Sequence, residues 1–283
     1  MKILDAVYIY KLGPGENLNW HGRYHSHKEN EYEVHFFVDG EGSFLSNKAR
    51  FSITKNALFL SVPHEFHSII PQLVTKPLTY YAILFSLDDD DIPITSLLEL
   101  VHLESKKCFY SNNVDTFALN EIMNLSHSPQ ESEKTAANYL LSSYLFRWFG
   151  EVSNKKNTQI SNKVVSSSES KKSKEYVRKA IELMKTNIEN PSVLEDIAWK
   201  LNLSTEHFIR LFKIETDITP HQYWLRLRVQ TASTRLITSE KSIGTIAKEL
   251  AFENQFHFSS VFKKCTGFSP STYRANYKKP NVT

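Results

Sequence analysis

Only two cysteines and eight glycines occur in this 283-residue chain. Cys108 and Cys265 lie far apart and in unlike surroundings, so no disulfide framework is expected and a reducing compartment suits the protein. Long apolar runs are missing too: nothing approaches the ~20 residues that a membrane span requires. Met1 to Lys11 carries Asp5 inside its apolar run and has no small-residue cleavage site. It does not read as a signal peptide, and a cytoplasmic location is expected. No G-x-S-x-G elbow, phosphate-cradling glycine loop or zinc-protease helix motif occurs. Hydrolytic and nucleotide-driven chemistry is therefore unsupported, and neither enzymatic activity nor a cofactor is expected.

What is present is a globular composition, 41% hydrophobic and 12% aromatic, at a length that suits two domains of roughly 150 and 110 residues. The net charge of +3 hides an asymmetry. Residues 1–170 hold 15 Lys+Arg against 20 Asp+Glu, a balance of −5, whereas residues 171–283 hold 19 against 11, a balance of +8. A local positive surplus is what a phosphate-binding surface needs.

From Leu4 to about Leu87 the chain reads as short apolar or alternating runs, such as Tyr32 to Val38, Gly42 to Leu45 and Tyr80 to Phe85, which predicts an all-β module. Asp39-Gly40, Ser46-Asn47 and Lys55-Asn56 are the expected hairpin or loop positions. Between Val114 and Val152 the spacing turns helical, with Phe117, Ile122 and Leu125, then Tyr139 to Trp148. The latter run is apolar on more than one side, so it is expected to dock on the β module or to form a dimer interface, and the two readings stand level. Asp88 to Asp91 is read as a solvated loop, because adjacent carboxylates point in different directions. Residues 154–173, rich in Ser, Asn and Lys, are expected to be a flexible linker between domains at 1–153 and 174–283.

The second domain repeats itself. Leu194, Ile197, Ala198, Leu201 and Leu203 recur 49 residues later as Ile243, Ile246, Ala247, Leu250 and Phe252. At an offset of 50, Leu211, Phe212, Lys213, Thr216, Ile218, Thr219, Pro220 and Tyr223 recur as Val261, Phe262, Lys263, Thr266, Phe268, Ser269, Pro270 and Tyr273. Each copy is a helix, a short break and a second helix, which is a helix-turn-helix pattern. Asn202 suits a left-handed turn residue, and Ser204 and Asn254 suit helix caps.

The second helix of each copy keeps one apolar stripe and leaves its other face polar. That face offers Thr205, Glu206, Ile209, Arg210 and Lys213 in copy one, and Asn254, Gln255, Phe256, Ser259, Ser260 and Lys263 in copy two. Arg and Gln can read base edges bidentately in the major groove, hydroxyls can reach bases or phosphates, and an apolar side chain can touch a thymine methyl. Thr219-Pro220 and Ser269-Pro270 mark helix starts, the first opening a spacer over about His221 to Thr238. A rigid spacer would present the two reading helices to successive major grooves ~34 Å apart. Arg226, Arg228, Arg235, Lys248, Lys263 and Lys264 are candidate phosphate contacts.

The run Ile246-Ala247, Ala251-Phe252, Phe258, Phe262-Lys263-Lys264, Gly267-Phe268-Ser269-Pro270 and Tyr273-Arg274 resembles the signature of AraC/XylS-type transcription regulators. The resemblance covers about a hundred residues. It implies two helix-turn-helix motifs joined by a linker helix, with regulation, as an activator for instance, at double-stranded promoter DNA and RNA polymerase as a partner. The chain departs from the family at Ala251, where glycine is usual, at the equivalent Asn202, and at Ser260, where arginine is frequent. The last departure suggests that copy one, through Arg210, contributes more of the base reading.

In the first domain, His25-Ser-His27, then Glu33 and Gly40, then Pro63 and His67, resemble the two cupin motifs, with Glu31 an alternative carboxylate and Glu65 standing where glycine is common. The implied fold class is α+β: a cupin-like β barrel with flanking helices, followed by an all-α domain. Such a barrel implies a small-molecule sensor, with carbohydrate the family-level effector class and His25, His27, Glu33, His67, Trp20 and Tyr24 the tentative contacts. Tyr32, Phe36 and Phe37 could add stacking faces. For His25, His27, Glu33 and His67 three readings stay open: effector contact, plain structure, and a divalent transition metal, though metal is not the leading expectation. A metal-dependent cupin enzyme carrying a DNA module, and a regulator answering to a protein partner, are the alternatives to effector-responsive regulation.

Overall fold

The computed structural model describes residues 1–16, 22–47, 49–102, 108–110, 116–156, 167–190, 193–216 and 218–277. It divides into two units, one of residues 1–21 with 26–164 and one of residues 165–283 with 22–25.

The first unit is built on a long strand, β2 (Glu31–Ser46), that serves two antiparallel sheets. Its first half pairs with β4 (Ala57–Ser61) and β6 (Lys76–Ser86), and β1 (Lys2–Leu12) and β7 (Cys108–Tyr110) extend that sheet on either side. Its second half pairs with β3 (Ala49–Ile53) and β5 (His67–Ile69), placing Ser46 opposite His67. The expected breaks at Ser46-Asn47 and Lys55-Asn56 are turns, with Asn47 and Asn56 at positive φ.

Asp39-Gly40 is not a turn. The two runs Tyr32 to Val38 and Gly42 to Leu45 are one bent strand, and its register against β6 slips on both sides of Asp39. Gly40 supplies the bend with φ 105°, and a Cβ there would meet the Pro77 carbonyl oxygen at 2.4 Å. Only glycine fits that close approach.

Period-two alternation splits β2 into two faces. Tyr32, Val34 and Phe36 face a core shared with α1 (Ile92–His102), α2 (Thr116–Ser126) and α3 (Glu131–Lys156), where Leu97, Leu98, Ile122, Leu141, Leu145 and Phe149 are buried. Helix α3 docks on the β module, as the first of its two readings has it: Leu141, Tyr144, Leu145 and Trp148 pack inward while Tyr139 stays 73% exposed. The Asp88 to Asp91 run is not wholly solvated, since Asp91 is partly buried and holds the Met1 amino group.

The second unit is helical: α4 (Ser167–Thr186), α5 (Val193–Lys200), α6 (Thr205–Thr216), α7 (Pro220–Thr238), α8 (Ile243–Glu249), α9 (Gln255–Thr266) and α10 (Pro270–Tyr277). Helices α3 and α4 run into the expected linker from both ends, taking residues 154–156 and 167–173, while residues 157–166 lie outside the described residues. Serine and lysine cost a helix little once an amphipathic segment has nucleated it.

Candidate nucleic-acid interface and sensor cluster

The two helix-turn-helix units match in bonding as well as in sequence. In the first, Asn202 takes the left-handed conformation with φ 54° after α5, the Leu203 amide donates back to the Ala198 carbonyl at 3.0 Å, and the Ser204 hydroxyl accepts from the His207 amide at 3.3 Å. In the second, Ala251 turns the chain with φ 51°, the Phe252 amide donates to the Ala247 carbonyl at 3.0 Å, and the Asn254 side chain accepts from the His257 amide at 2.8 Å. Ala198 and Ala247 are buried at the expected helix crossings.

Each second helix is seated by a repeated aromatic chain. The Phe208, Phe212 and Tyr223 rings meet edge to face at 5.7 and 5.3 Å, and Phe258, Phe262 and Tyr273 do so at 5.4 and 5.2 Å. The Thr216 hydroxyl lies 2.8 Å from the Phe212 carbonyl, and that of Thr266 lies 2.9 Å from the Phe262 carbonyl, so each closes the end of its helix. Fixing the inward stripe this way fixes the outward one. Thr205, Glu206, Ile209, Arg210 and Lys213 on α6 are exposed, as are Asn254, Gln255, Phe256, Ser260 and Lys263 on or at the start of α9, with Ser259 half-buried. Phe256 is 85% exposed and Ile209 41%, apolar surface that a solvated helix face does not favour.

The spacer departs from expectation in its arginines. Thr219 and Gln222 form the anticipated capping box, with Pro220 in the first turn. Arg228, however, is buried. Its guanidinium lies 3.9 Å from the Trp224 ring centre, Nε donates to the Ile188 carbonyl at 3.2 Å, and Nη1 donates to the Ala251 carbonyl at 3.1 Å. Burial pulls its pKa down to about 10. Arg235 pairs with Glu189 at 2.8 Å and with Glu249 at 3.0 Å, and Lys241 joins Glu249 at 2.6 Å. Arg228 is thereby committed to protein carbonyls and is not placed to be the phosphate contact expected of it, whereas Arg235, its side chain 27% exposed, is held in ion pairs. Lys248, Lys263 and Lys264 are exposed and Arg226 is half-buried.

In the first unit the other face of β2 carries Glu33, His35 and Phe37. Oε2 of Glu33 lies 3.0 Å from Nε2 of His27, 2.7 Å from Nε2 of His67 and 3.8 Å from Nε2 of His35, all in full or near-full burial. Glu65 is buried and accepts from the Ser46 hydroxyl. Rings of Phe37, Phe44 and Tyr80 lie within 6.4 Å of His35, forming an apolar wall. Of the residues expected to meet, His27, Glu33 and His67 therefore do so within this unit. His35 was missed, although its two-residue spacing from Glu33 on a strand is the signal that would have found it. Tyr24 is buried, and Trp20 lies outside the described residues. Tyr32 and Phe36 belong to the helix-facing core because they sit on the opposite face of the pleat.

Comparison with known proteins agrees with this division. A model of the AraC-like ligand binding domain matches residues 14–96, and a helix-turn-helix domain model matches residues 197–276. The chain is 27% identical over 246 residues to the raffinose operon transcriptional regulatory protein of Pediococcus pentosaceus, covering 86% of this chain and 84% of that one. It is 25% identical over 247 residues to the Msm operon regulatory protein of Streptococcus mutans, covering 86% and 84%. The crystal structure of ToxT from Vibrio cholerae shares the fold, with TM-score 0.53 at 15% identity over 98% of each chain. Among the described residues no helix is long and apolar enough to cross a membrane. With a ligand-binding domain of AraC type ahead of a duplicated helix-turn-helix domain, the chain belongs to the AraC family of DNA-binding transcription regulators.

Proposed function

We propose that residues 174–283 read a bipartite promoter site with α6 and α9, and that residues 1–153 sense a small carbohydrate in the cytoplasm and govern that binding. The observation that carries the DNA reading is the outward faces of α6 and α9: matched, polar, and bearing exposed Phe256 and Ile209 on helices whose inward stripes are locked by matching aromatic chains. Such a face can insert into a major groove, where Arg210 and Gln255 reach base edges and Phe256 meets a thymine methyl. What supports a carbohydrate effector is the relation to a raffinose operon regulator over most of both chains, together with a buried polar cluster that could hydrogen-bond hydroxyls. The exposed ring of Tyr139 on α3 supports dimerisation through that helix, and RNA polymerase is the partner of the DNA-bound form.

Arg210 is the test residue. Arg210→Ala should cost ~1 to 3 kcal/mol on the cognate site and relax preference at one base step. Binding measured against a panel of single-base variants checks this, and a loss of equal size on every sequence overturns the base-reading role. On the sensor side, thermal shift of the full chain with a set of mono- to trisaccharides should raise the melting temperature for one of them.

A further inference from the structure

Gly244 sits in the first turn of α8, just past its Ser242 cap, in ordinary right-handed helix. Alanine fits that backbone and favours it, so glycine costs the helix stability there. What the position supplies instead is room. A Cβ on Gly244 would lie 2.8 Å from Oε1 of Gln255, well inside the ~3.5 to 4.0 Å at which nonbonded heavy atoms pack, while the next nearest atoms, Cδ of Gln255 and Oγ of Ser242, lie at 3.9 Å. The Gln255 amide therefore lies against the α8 backbone where a side chain is missing. The other copy of the repeat fills the corresponding positions the opposite way. At the offsets of 49 and 50, Gly244 and Gln255 correspond to Glu195 and Thr205, so the first unit has its long side chain on the first helix and its short one on the second.

Gln255 opens α9, and the first residues of a reading helix are the ones that meet base edges. Glutamine recognises adenine by pairing its planar amide with N6 and N7 together, which requires the amide to approach in one orientation. An exposed glutamine is free in several rotamers, and that freedom is lost on binding. The bare α8 backbone at Gly244 gives the amide a surface to lie on before DNA arrives. We propose that Gly244 is a positioning residue for base reading: its missing side chain lets the Gln255 amide rest against α8, and that support sets which base edge the amide meets. This rests on the reading of α9 as a base-reading helix and deepens it by naming what aims Gln255.

The experiment measures binding of the full chain to a duplex site selected from a random pool and to each single-base variant of that site. Gly244→Ala should leave the urea midpoint unchanged or raise it, since the added methyl group conflicts only with the end of a flexible side chain. Its discrimination should fall at least ~5-fold at one base step, the lower end of what a bidentate base contact supplies, and hold at the others. Gln255→Ala should lose discrimination at that same step. The Gly244→Ala/Gln255→Ala double variant should match Gln255→Ala alone, because the glycine acts through the glutamine. Unaltered base preference in folded Gly244→Ala overturns the proposal, as does an equal loss on every sequence or a loss at a step other than that of Gln255→Ala. A lowered urea midpoint also overturns it, because the methyl group would then conflict with more than Gln255. Failure of the wider reading looks different: a wild-type chain indifferent to every single-base change overturns both, whereas an altered preference in Arg210→Ala sustains base reading even where Gly244→Ala changes nothing.

Discussion

Ala251 holds a left-handed backbone, φ 51°, at the turn that leads into α9. A Cβ in that region costs roughly 1 to 2 kcal/mol, while glycine loses about 0.5 to 1 kcal/mol more chain entropy on folding. The balance favours glycine. Ala251→Gly should stabilise the second unit by up to ~1 kcal/mol and raise its urea midpoint; a lower midpoint would show that another contact of the methyl group outweighs the strain. Its counterpart Asn202, at φ 54°, already tolerates the conformation. Residue-scale rules of this kind were readable without coordinates: Asn202, Ser204 and Asn254 take their roles because turns and caps are satisfied by neighbours in sequence. Gly40 shows the limit. A bulge glycine and a turn glycine both need positive φ, and what separates them here is the Pro77 carbonyl on a different strand, which no local pattern contains.

The same limit governs whole elements. The repeat in residues 194–273 disclosed two helix-turn-helix units because duplicated apolar spacing is a signal along the chain. What the spacer arginines do is not. Seven residues, two helical turns, separate Arg228 from Arg235 on α7, so both lie on one face. Together they bind Ile188 and Glu189, which follow α4, and Glu249 and Ala251, at the end of α8 and in its turn. In a basic domain such arginines look like phosphate ligands; their actual partners are two carbonyls and two carboxylates contributed from distant positions. Their physical effect is to clamp the segment that follows α4, ahead of the first helix-turn-helix unit, to the end and turn of α8 in the second. Arg228→Ala leaves two carbonyls and an aromatic pocket without their donor, a change expected to cost ~2 to 3 kcal/mol in stability. Arg235→Ala, whose ion pairs are half-exposed and screened, should cost under ~1 kcal/mol. DNA titrations discriminate the roles. With the clamp loosened by Arg235→Ala, affinity for the full bipartite site should fall while that for an isolated half-site holds, and the salt slope should not change. A slope reduced by ~1 would identify Arg235 as a phosphate contact after all.

At the scale of the molecule, the division into an acidic first half and a basic second half was plain in the sequence, at −5 and +8 about Ser170, because charge sums need no coordinates. The linker is narrower than its composition implies, because the helix of α4 is nucleated by the apolar face further along and extends back to Ser167. Charge draws the second unit to any duplex; geometry must supply the choice. If α7 and its arginines make the two reading helices one rigid body, their separation suits a single half-site spacing, set by the ~10.5 base pairs of a helical turn. Inserting five base pairs between the half-sites puts the second groove on the far side of the duplex, and inserting ten restores its face but moves it ~34 Å along the axis. A flexible pair of heads would lose the first site and recover the second. This pair should lose both, falling in each case to the affinity of one half-site, and the loss should persist at low salt where phosphate attraction is strongest. Footprints on the three spacings would read this directly, and protection of both half-sites at the ten-base-pair insertion would refute a rigid spacer.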